Sequence, residues 1–161
     1  MSKLSLYLII LGVFSIIFIS CIIMPASADT PFVCAVHKGE WLWVRSGPSK
    51  DAAQIDTIRF GVEGEIHEIV NGYARVSTVN DKEGWVDVSY LLIPIKETVY
   101  KVVSDGPLNK RETPDGRYLT KIKSGVNISV LGWRYSKAGE LWAYCYKGGY
   151  VKAAYLEEVA R

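Results

Sequence analysis

The sequence predicts an all-β protein, and three observations support this prediction. After residue 30 the chain has no sustained helical stripe of apolar residues. It is divided instead into short runs rich in Val, Ile, Tyr and Trp, and each run is closed by Gly, Pro, Asn or Asp. Runs of this kind are typical of the strands of a sandwich or barrel. The pattern of runs also occurs twice, so we expect two small units of similar fold.

The N-terminal residues 1–28 precede this pattern and are predicted to form an apolar signal helix. Lys3 is followed by an apolar run over residues 4–24 and then by small residues at 26–28. These are the marks of a secretory signal peptide, and we expect cleavage after the small residues. Two alternatives stay open: retention of residues 4–24 as a membrane anchor, and lipidation at Cys21. All three predict a secreted or extracytoplasmic protein, and association with the cell wall fits each of them.

The predicted strands follow one another at short intervals along both halves of the remaining chain. In the first half they cover residues 34–36, 41–44, 53–58, 65–70, 74–78 and 84–86. In the second half they cover residues 99–103, 109–111, 119–122, 127–133, 141–146 and 149–151. Turn residues such as Asn71 and Gly72 separate them.

An internal repeat organises these strands. Residues 42–49 align with 108–115, 58–62 with 122–126, 84–86 with 149–151, and 89–91 with 154–156. The aligned segments occur in the same order and lie 64 to 66 residues apart. The sequence therefore predicts a tandem repeat of one small domain, with a first module over residues 32–94 and a second over residues 97–159. Residues 94–97 are expected to form a short linker.

The repeat also explains the stretch Arg-Ser-Gly-Pro-Ser that follows the second predicted strand. Gly47 is replaced by Thr113 in the second copy, so the two copies do not share a glycine-rich phosphate cradle. Ser46 is replaced by Glu112, so they do not share a nucleophilic serine either. The shared feature is a proline just after a strand, which ends the strand's pairing.

At these repeated positions the chain resembles the bacterial SH3 domain (SH3b) family. The signature of that family is a Leu-Asn-Val-Arg-Ser-Gly-Pro-Ser stretch, then Lys-x-Gly-x-x-Val, Gly-Trp-Val and Ser-Tyr-Leu. The matching residues are 42–49, 61–62, 84–86 and 89–91 in the first copy, and 108–111, 123–126, 149–151 and 155–156 in the second. The second copy departs from the signature at Glu112, Thr113 and Tyr150. The resemblance implies two tandem small SH3-like β-barrels that bind cell-wall polymer or short peptides, often as the targeting part of a hydrolase.

The residues themselves give no indication of an enzyme. Cys34 and His37 lie three apart on one predicted strand, with no helix to activate the thiol. Together with His67 and Cys145 they also lack the close paired spacings of a zinc site. The glutamates of residues 63–68 alternate as on a solvated sheet face. We therefore expect no catalytic residue, no metal and no cofactor.

Aromatic residues beyond those that a small core needs are the candidate binding surface. Trp41 and Trp43 alternate with Leu42, so both indoles are expected to point outward if Leu42 is inside. Exposed tryptophans suit sugar rings or extended peptide. Packing between the modules and packing at the rim of one module remain open alternatives for this pair.

The second copy is predicted to carry a further aromatic floor. Trp142, Tyr144 and Tyr146 share one face of a strand, and residues 133–135 lie across a hairpin from them. With Arg134, Lys137 and Lys147 around it, this floor is expected to form a groove for an anionic polymer. The candidate ligand-binding residues are Trp41, Trp43, Tyr73, Trp133, Arg134, Tyr135, Trp142, Tyr144, Tyr146 and Lys147.

Charge is distributed unevenly between the two halves. The net charge of the chain is only +2, which argues against nucleic acid as a partner. Residues 31–94 carry a net charge of −3 and residues 95–161 a net charge of +5. A basic second module suits an anionic wall surface by field attraction. Mutual attraction of the two modules is the alternative explanation.

Two cysteines remain after removal of the signal peptide. In an oxidising compartment Cys34 and Cys145 are expected to form one disulfide. Cys34 aligns with Tyr100, so neither module holds an equivalent pair, and the bridge would connect the modules. Two buried free thiols are the alternative.

These observations support two hypotheses about function. The first is an exported, non-catalytic protein whose tandem SH3b modules bind cell-wall peptidoglycan, an anionic wall polymer or short peptides. The alternative is a structural or regulatory interaction protein that docks another exported protein.

Overall fold

The fold is all-β, as the sequence predicts, in a computed structural model that describes residues 29–160. The expected signal peptide, residues 1–28, lies outside the described residues. The strands are β1 (Thr30–Cys34), β2 (Trp41–Arg45), β3 (Gln54–Arg59), β4 (Glu63–Val70), β5 (Tyr73–Thr78), β6 (Glu83–Asp87), β7 (Leu91–Val102), β8 (Leu108–Arg111), β9 (Tyr118–Ile122), β10 (Asn127–Tyr135), β11 (Leu141–Cys145), β12 (Tyr150–Lys152) and β13 (Leu156–Glu158). Two 3₁₀ turns, Val88–Tyr90 and Ala153–Tyr155, precede β7 and β13. No helix within residues 29–160 has the length and apolarity to cross a membrane.

The strands form one continuous antiparallel sheet in the order β3-β2-β6-β5-β4-β1-β7-β10-β11-β12-β8-β9, and β13 pairs with β7. Strand β7 is the longest, and both halves of the chain use it. Its first residues, Leu91 and Leu92, pair with β1, whereas residues from Ile93 onward pair with β10 and the last three also pair with β13. The expected linker at residues 94–97 is therefore not a loop, because these residues continue β7.

The two halves pair their strands in the same way. The pairs β2–β3, β2–β6, β5–β6, β4–β5 and β1–β4 in the first half are followed by β8–β9, β8–β12, β11–β12, β10–β11 and β7–β10 in the second. The register shifts occur at matching places too. In β2 and β8 the shift lies just before Arg45 and Arg111, and in β4 and β10 it follows Ile66 and Val130.

Each half has its own apolar core, built from alternate residues of its strands. The buried residues of the first core are Phe32, Cys34, Val36, Leu42, Val44, Ile58, Ile66, Ala74, Val76, Val86, Val88 and Leu91. Those of the second are Val102, Leu108, Val130, Ala143, Cys145 and Val151. Tyr135 of the second half packs against the first core, so the two cores are linked through β10.

The arginine of the repeated stretch closes the turn that follows it. Arg45 donates from Nη1 to the carbonyl oxygen of Ala52 over 3.0 Å, and Arg111 donates from Nη1 to that of Gly116 over 2.8 Å. A charged donor satisfies a turn carbonyl that would otherwise have no partner in a strand. The stretch is therefore a structural turn in both halves.

The cysteines correct one prediction, because Cys34 and Cys145 are both free. They do not form the expected bridge, since Cys34 is buried in the first core and Cys145 in the second. The alignment of Cys34 with Tyr100 is also wrong. The amide of Cys34 donates to Val62, and the amide with the matching position in the second half is that of Val102, which donates to Val126.

Both thiols should titrate only after unfolding. Burial raises the pKa of Cys34 and that of Cys145, and each pKa unit removes about tenfold of the reactive thiolate near neutral pH. In a protein that begins at residue 29, a disulfide reagent should react slowly with the native state and count two thiols in denaturant. If the denatured protein had no reactive thiol without reductant and two with it, the two cysteines would form a disulfide after all.

Two glycines at equivalent places should resist replacement by alanine. A Cβ at Gly84, where φ is +147°, would lie 2.5 Å from Val44 Cγ1 and 2.8 Å from the carbonyl oxygen of Arg45. A Cβ at Gly149, where φ is +78°, would lie 2.9 Å from the corresponding oxygen of Arg111. In each half the end of a strand thus packs so closely against a glycine that a side chain at the glycine would push the strand away.

We expect Gly84→Ala to lower the free energy of unfolding by about 1–3 kcal/mol, because both the clash and the positive φ are unfavourable. Gly47→Ala is the control, since its Cβ would meet only Ala52 Cβ at 3.7 Å, and its effect should stay within about 0.5 kcal/mol. Urea unfolding followed by tryptophan fluorescence measures both. Equal effects of the two substitutions would contradict the packing argument.

Candidate functional site

A groove of about 370 Å³ lies where the two halves of the chain meet. The first half contributes His37, which follows β1, and the 3₁₀ turn residues Ser89 and Tyr90. The second half contributes residues 113–116, which follow β8, and residues 134–137 at the end of β10. Both halves therefore build the groove, because the end of β10 pairs with β7 as far as Ile93 and so lies close to the 3₁₀ turn of the first half. We refer to it as the junction groove.

Arg134 is the most buried charged residue of the junction groove, with only 6% of its surface exposed. Its Nε donates to the carbonyl oxygen of Ser89 over 2.6 Å, and its Nη1 donates to that of Ala35 over 3.2 Å. The register of β10 on β7 places it there, because Trp133 pairs with Ile93, three residues beyond the 3₁₀ turn. One side chain of the second half thus binds two backbone carbonyls of the first.

Aromatic rings surround the same guanidinium. Its central carbon lies 5.9 Å from the ring centroid of Tyr90 and 5.7 Å from that of Tyr150. Burial raises the pKa of Tyr150, and the nearby Arg134 charge opposes that shift. The ammonium of Lys137 lies 5.7 Å from the Tyr90 centroid. Within the described residues no carboxylate forms a salt bridge with Arg134, so ring faces and carbonyl dipoles are what stabilise its charge.

The predicted aromatic floor on β11 is wrong as an open surface. Trp142 is only 2% exposed, and Lys152 places its ammonium 5.7 Å from the indole centroid. Tyr144 packs against Tyr150 with a centroid distance of 5.1 Å. The reason is that both faces of β11 are covered. On one face Ala143 belongs to the second core. On the other face Trp142 lies beside the Lys152 side chain and Tyr144 packs against Tyr150. Alternation on a strand identifies the two faces but not what covers them.

The other predicted residues fall outside the junction groove, apart from Tyr135, which lines it. Trp133 packs edge-on against Tyr100, with centroids 5.4 Å apart, beside the second core. Tyr73 is half-buried at the start of β5. Tyr146 and Lys147 are exposed on the turn after β11. Tyr90 and His37, which do line the groove, were missed as binding residues, because only the fold brings the end of β1 and the 3₁₀ turn to β10.

Trp41 and Trp43 form a second, separate surface on β2. They are 56% and 44% exposed, whereas Leu42 between them is buried in the first core. Among the described strands, β2 pairs with β3 and β6 alone, both in the first half. The central carbon of Arg59, the partner of Trp41 on β3, lies 6.0 Å from the indole centroid. The alternative that this pair packs between the halves is therefore wrong.

A hydrogen-bonded chain of Asp29, His67 and Ser77 was also missed by sequence reasoning. His67 Nδ1 lies 2.9 Å from Asp29 Oδ1, and its Nε2 lies 2.8 Å from Ser77 Oγ. The connectivity is that of a serine hydrolase triad. However, Ser77 lies inside β5 directly opposite Glu65 and Glu83, whose carboxylates share its face of the sheet. Negative charge on both sides opposes an oxyanion, and the two hydrogen bonds connect the residue before β1 to β4 and β5.

No metal site is evident in the part of the chain that the structure describes: residues 29–160 contain no group of three or more His, Cys, Asp or Glu side chains placed to hold an ion. Cys34, His37, His67 and Cys145 are distributed over separate cores and surfaces.

Comparison with known proteins supports the fold of the first half. A family model described as bacterial SH3 domain matches residues 42–91, from β2 to the start of β7. The resemblance inferred from the sequence is thus confirmed for those residues. No curated protein sequence matches the chain.

Two solved structures from Trichomonas vaginalis are similar to the chain. The structure of NlpC2 matches with a TM-score of 0.36 and 14% identity, over 80% of this chain and 48% of that one. The structure of NlpC1 matches with a TM-score of 0.36 and 14% identity, over 86% of this chain and 50% of that one. The chain therefore spans about half the length of either protein.

Loss of the Arg134 side chain should weaken the whole fold. We expect Arg134→Ala to lower the free energy of unfolding by about 2–4 kcal/mol, because two charge-assisted hydrogen bonds to buried carbonyls disappear. Arg117→Ala is the control: this exposed side chain pairs only with Glu112 at the surface, and its loss should cost less than about 0.5 kcal/mol. Thermal and urea unfolding measure both variants. If the two variants were equally stable, Arg134 would not hold the halves together.

Proposed function

We propose that the protein is an exported, non-catalytic binding protein with two SH3b modules that recognises a cell-wall polymer or a short peptide. The observation that carries this proposal is the junction groove, in which Arg134, Lys137 and Tyr90 combine positive charge with an aromatic ring. Grooves with a few polar groups among apolar walls are the usual form of a ligand site. The family match over residues 42–91 supports a binding module in the first half.

The second module is supported by the likeness of the two halves. Both use the same strand pairs, the same two register shifts and the same arginine-closed turn. Both also bring a glycine, Gly84 or Gly149, against the carbonyl of that arginine. Independent local agreements of this kind are what a duplicated unit would produce, and we infer that each half is an SH3-like barrel joined to the other through β7.

The absence of catalysis is part of the proposal. The two free thiols are buried and have raised pKa values, which leaves little thiolate for nucleophilic attack. The Asp29–His67–Ser77 chain is flanked by glutamates.

Export rests on residues 1–28, whose charge and apolar pattern indicate a signal peptide. We place the protein outside the cytoplasmic membrane, at the cell wall.

A protein partner is the second candidate function, and the exposed indoles of Trp41 and Trp43 favour it. Large exposed aromatic side chains are enriched where proteins bind each other. Because β2 lies next to the edge strand β3, a partner could reach the pair without meeting the second half. This function predicts a stable complex with another exported protein and no retention on cell walls.

Binding to purified cell walls tests the first function. The protein should be retained on walls at low salt and released at about 1 M salt, where the Debye length falls to about 3 Å and charge attraction is screened. Lys137→Gln should reduce retention severalfold, because it removes a groove charge. Tyr118→Ala, a truncation of an exposed aromatic side chain on β9, is a control that should leave retention unchanged. Failure of the unaltered protein to bind walls at any salt concentration would reject a cell-wall polymer as the ligand.

A further inference from the structure

We propose that the junction groove binds a carboxylate, and that its ligand is a short peptide with a free carboxylate group. This inference rests on the proposed function and specifies the ligand class of the same site. The groove is lined by a charged side chain, Arg134, that is more than nine-tenths buried. Its partners are the carbonyls of Ser89 and Ala35 and two tyrosine rings, rather than a carboxylate of the described chain.

A buried cation without a counter-ion is costly. Removal of a guanidinium from water is expensive, and carbonyl dipoles and ring faces repay only part of that cost. An anionic group in the groove would supply the missing charge in a region of low dielectric, where the attraction is strong. The two hydrogen bonds hold the guanidinium in place without neutralising its charge, so the groove is prepared for an anionic ligand.

Lys137 strengthens the attraction at the same place. Its ammonium and the Arg134 guanidinium both lie within 6 Å of the Tyr90 centroid, at 5.7 Å and 5.9 Å. Lys137 is exposed whereas Arg134 is buried, so an anion that enters from solvent meets the flexible cation first and the fixed one second. A planar carboxylate suits the planar guanidinium, which favours paired hydrogen bonds to two oxygens.

The remaining lining favours one carboxylate over a polyanion. Asp115 also lines the groove, and its charge repels a dianionic phosphate more strongly than a singly charged carboxylate. Pro114, Tyr90 and Tyr135 provide apolar walls on which a small side chain can pack. The volume of about 370 Å³ lies at the low end for small-ligand sites. It suits the last residues of a peptide better than a long stretch of polymer.

The test compares two probes that differ only in the carboxylate: N-acetyl-dialanine and its C-terminal amide. Titration of the full-length protein in detergent, followed by calorimetry or NMR shifts, should give binding of the acid that is at least about tenfold tighter than that of the amide. Inorganic phosphate is the third probe and should bind more weakly than the acid. Equal affinity for acid and amide, or tighter binding of phosphate, would overturn the inference.

Variants locate the site. Arg134→Ala is expected to unfold readily, so Lys137→Gln is the informative change and should weaken acid binding at least about fivefold without a change in the amide. Lys121→Gln removes the same charge from an exposed position on β9 and should leave the affinity unchanged. An equal loss of affinity for the acid in the two variants would indicate that the overall positive charge of the second half attracts the probe. That result would overturn the proposed site.

The wall-binding assay separates failure of this inference from failure of the proposed function. Retention on walls together with equal affinity for acid and amide would reject the carboxylate site and leave the wall-binding function standing. Binding of the acid by a protein that walls do not retain would support the carboxylate site while rejecting wall binding.

Discussion

The contact on which the rest of the molecule depends is the bond between Arg134 and the backbone of the first half. The two cores share β7, and one long side chain also crosses between the halves and donates to the carbonyls of both Ala35 and Ser89. The contact also fixes Tyr90 and Lys137 relative to each other. Stability and the candidate site therefore have the same origin, and any change at Arg134 affects both.

The two halves share a fold but differ where the site lies. Two residues connect β4 to β5, whereas five connect β10 to β11. The longer connection carries Ser136 and Lys137 beyond the end of the sheet and toward the first half. The corresponding hairpin of the first half ends in a tight turn at Asn71 and Gly72, both with positive φ. The two halves thus differ at the groove by the length of one loop.

Local pattern was enough to predict an all-β fold and the outward direction of Trp41 and Trp43, because alternation along a strand follows directly from its geometry. It was not enough for Trp142, since the burial of a strand face depends on what the rest of the chain lays over it. The prediction of a disulfide failed for the same reason. The number of cysteines and an oxidising compartment suggest a bridge, but tertiary packing sets the distribution of Cys34 and Cys145 between two cores. The groove combines residues as distant in sequence as His37 and Lys137, and no local signal joins them.

The shared strand β7 limits how the protein can be taken apart. A cut at residues 94–97 would leave Leu91 and Leu92 paired with β1, but it would separate Ile93, which pairs with Trp133 of β10, from residues 98–102, which pair with β10 and β13. Neither fragment would keep a complete set of ladder hydrogen bonds. A shuffling or fusion experiment would consequently have to transfer both halves together to keep these strand pairs.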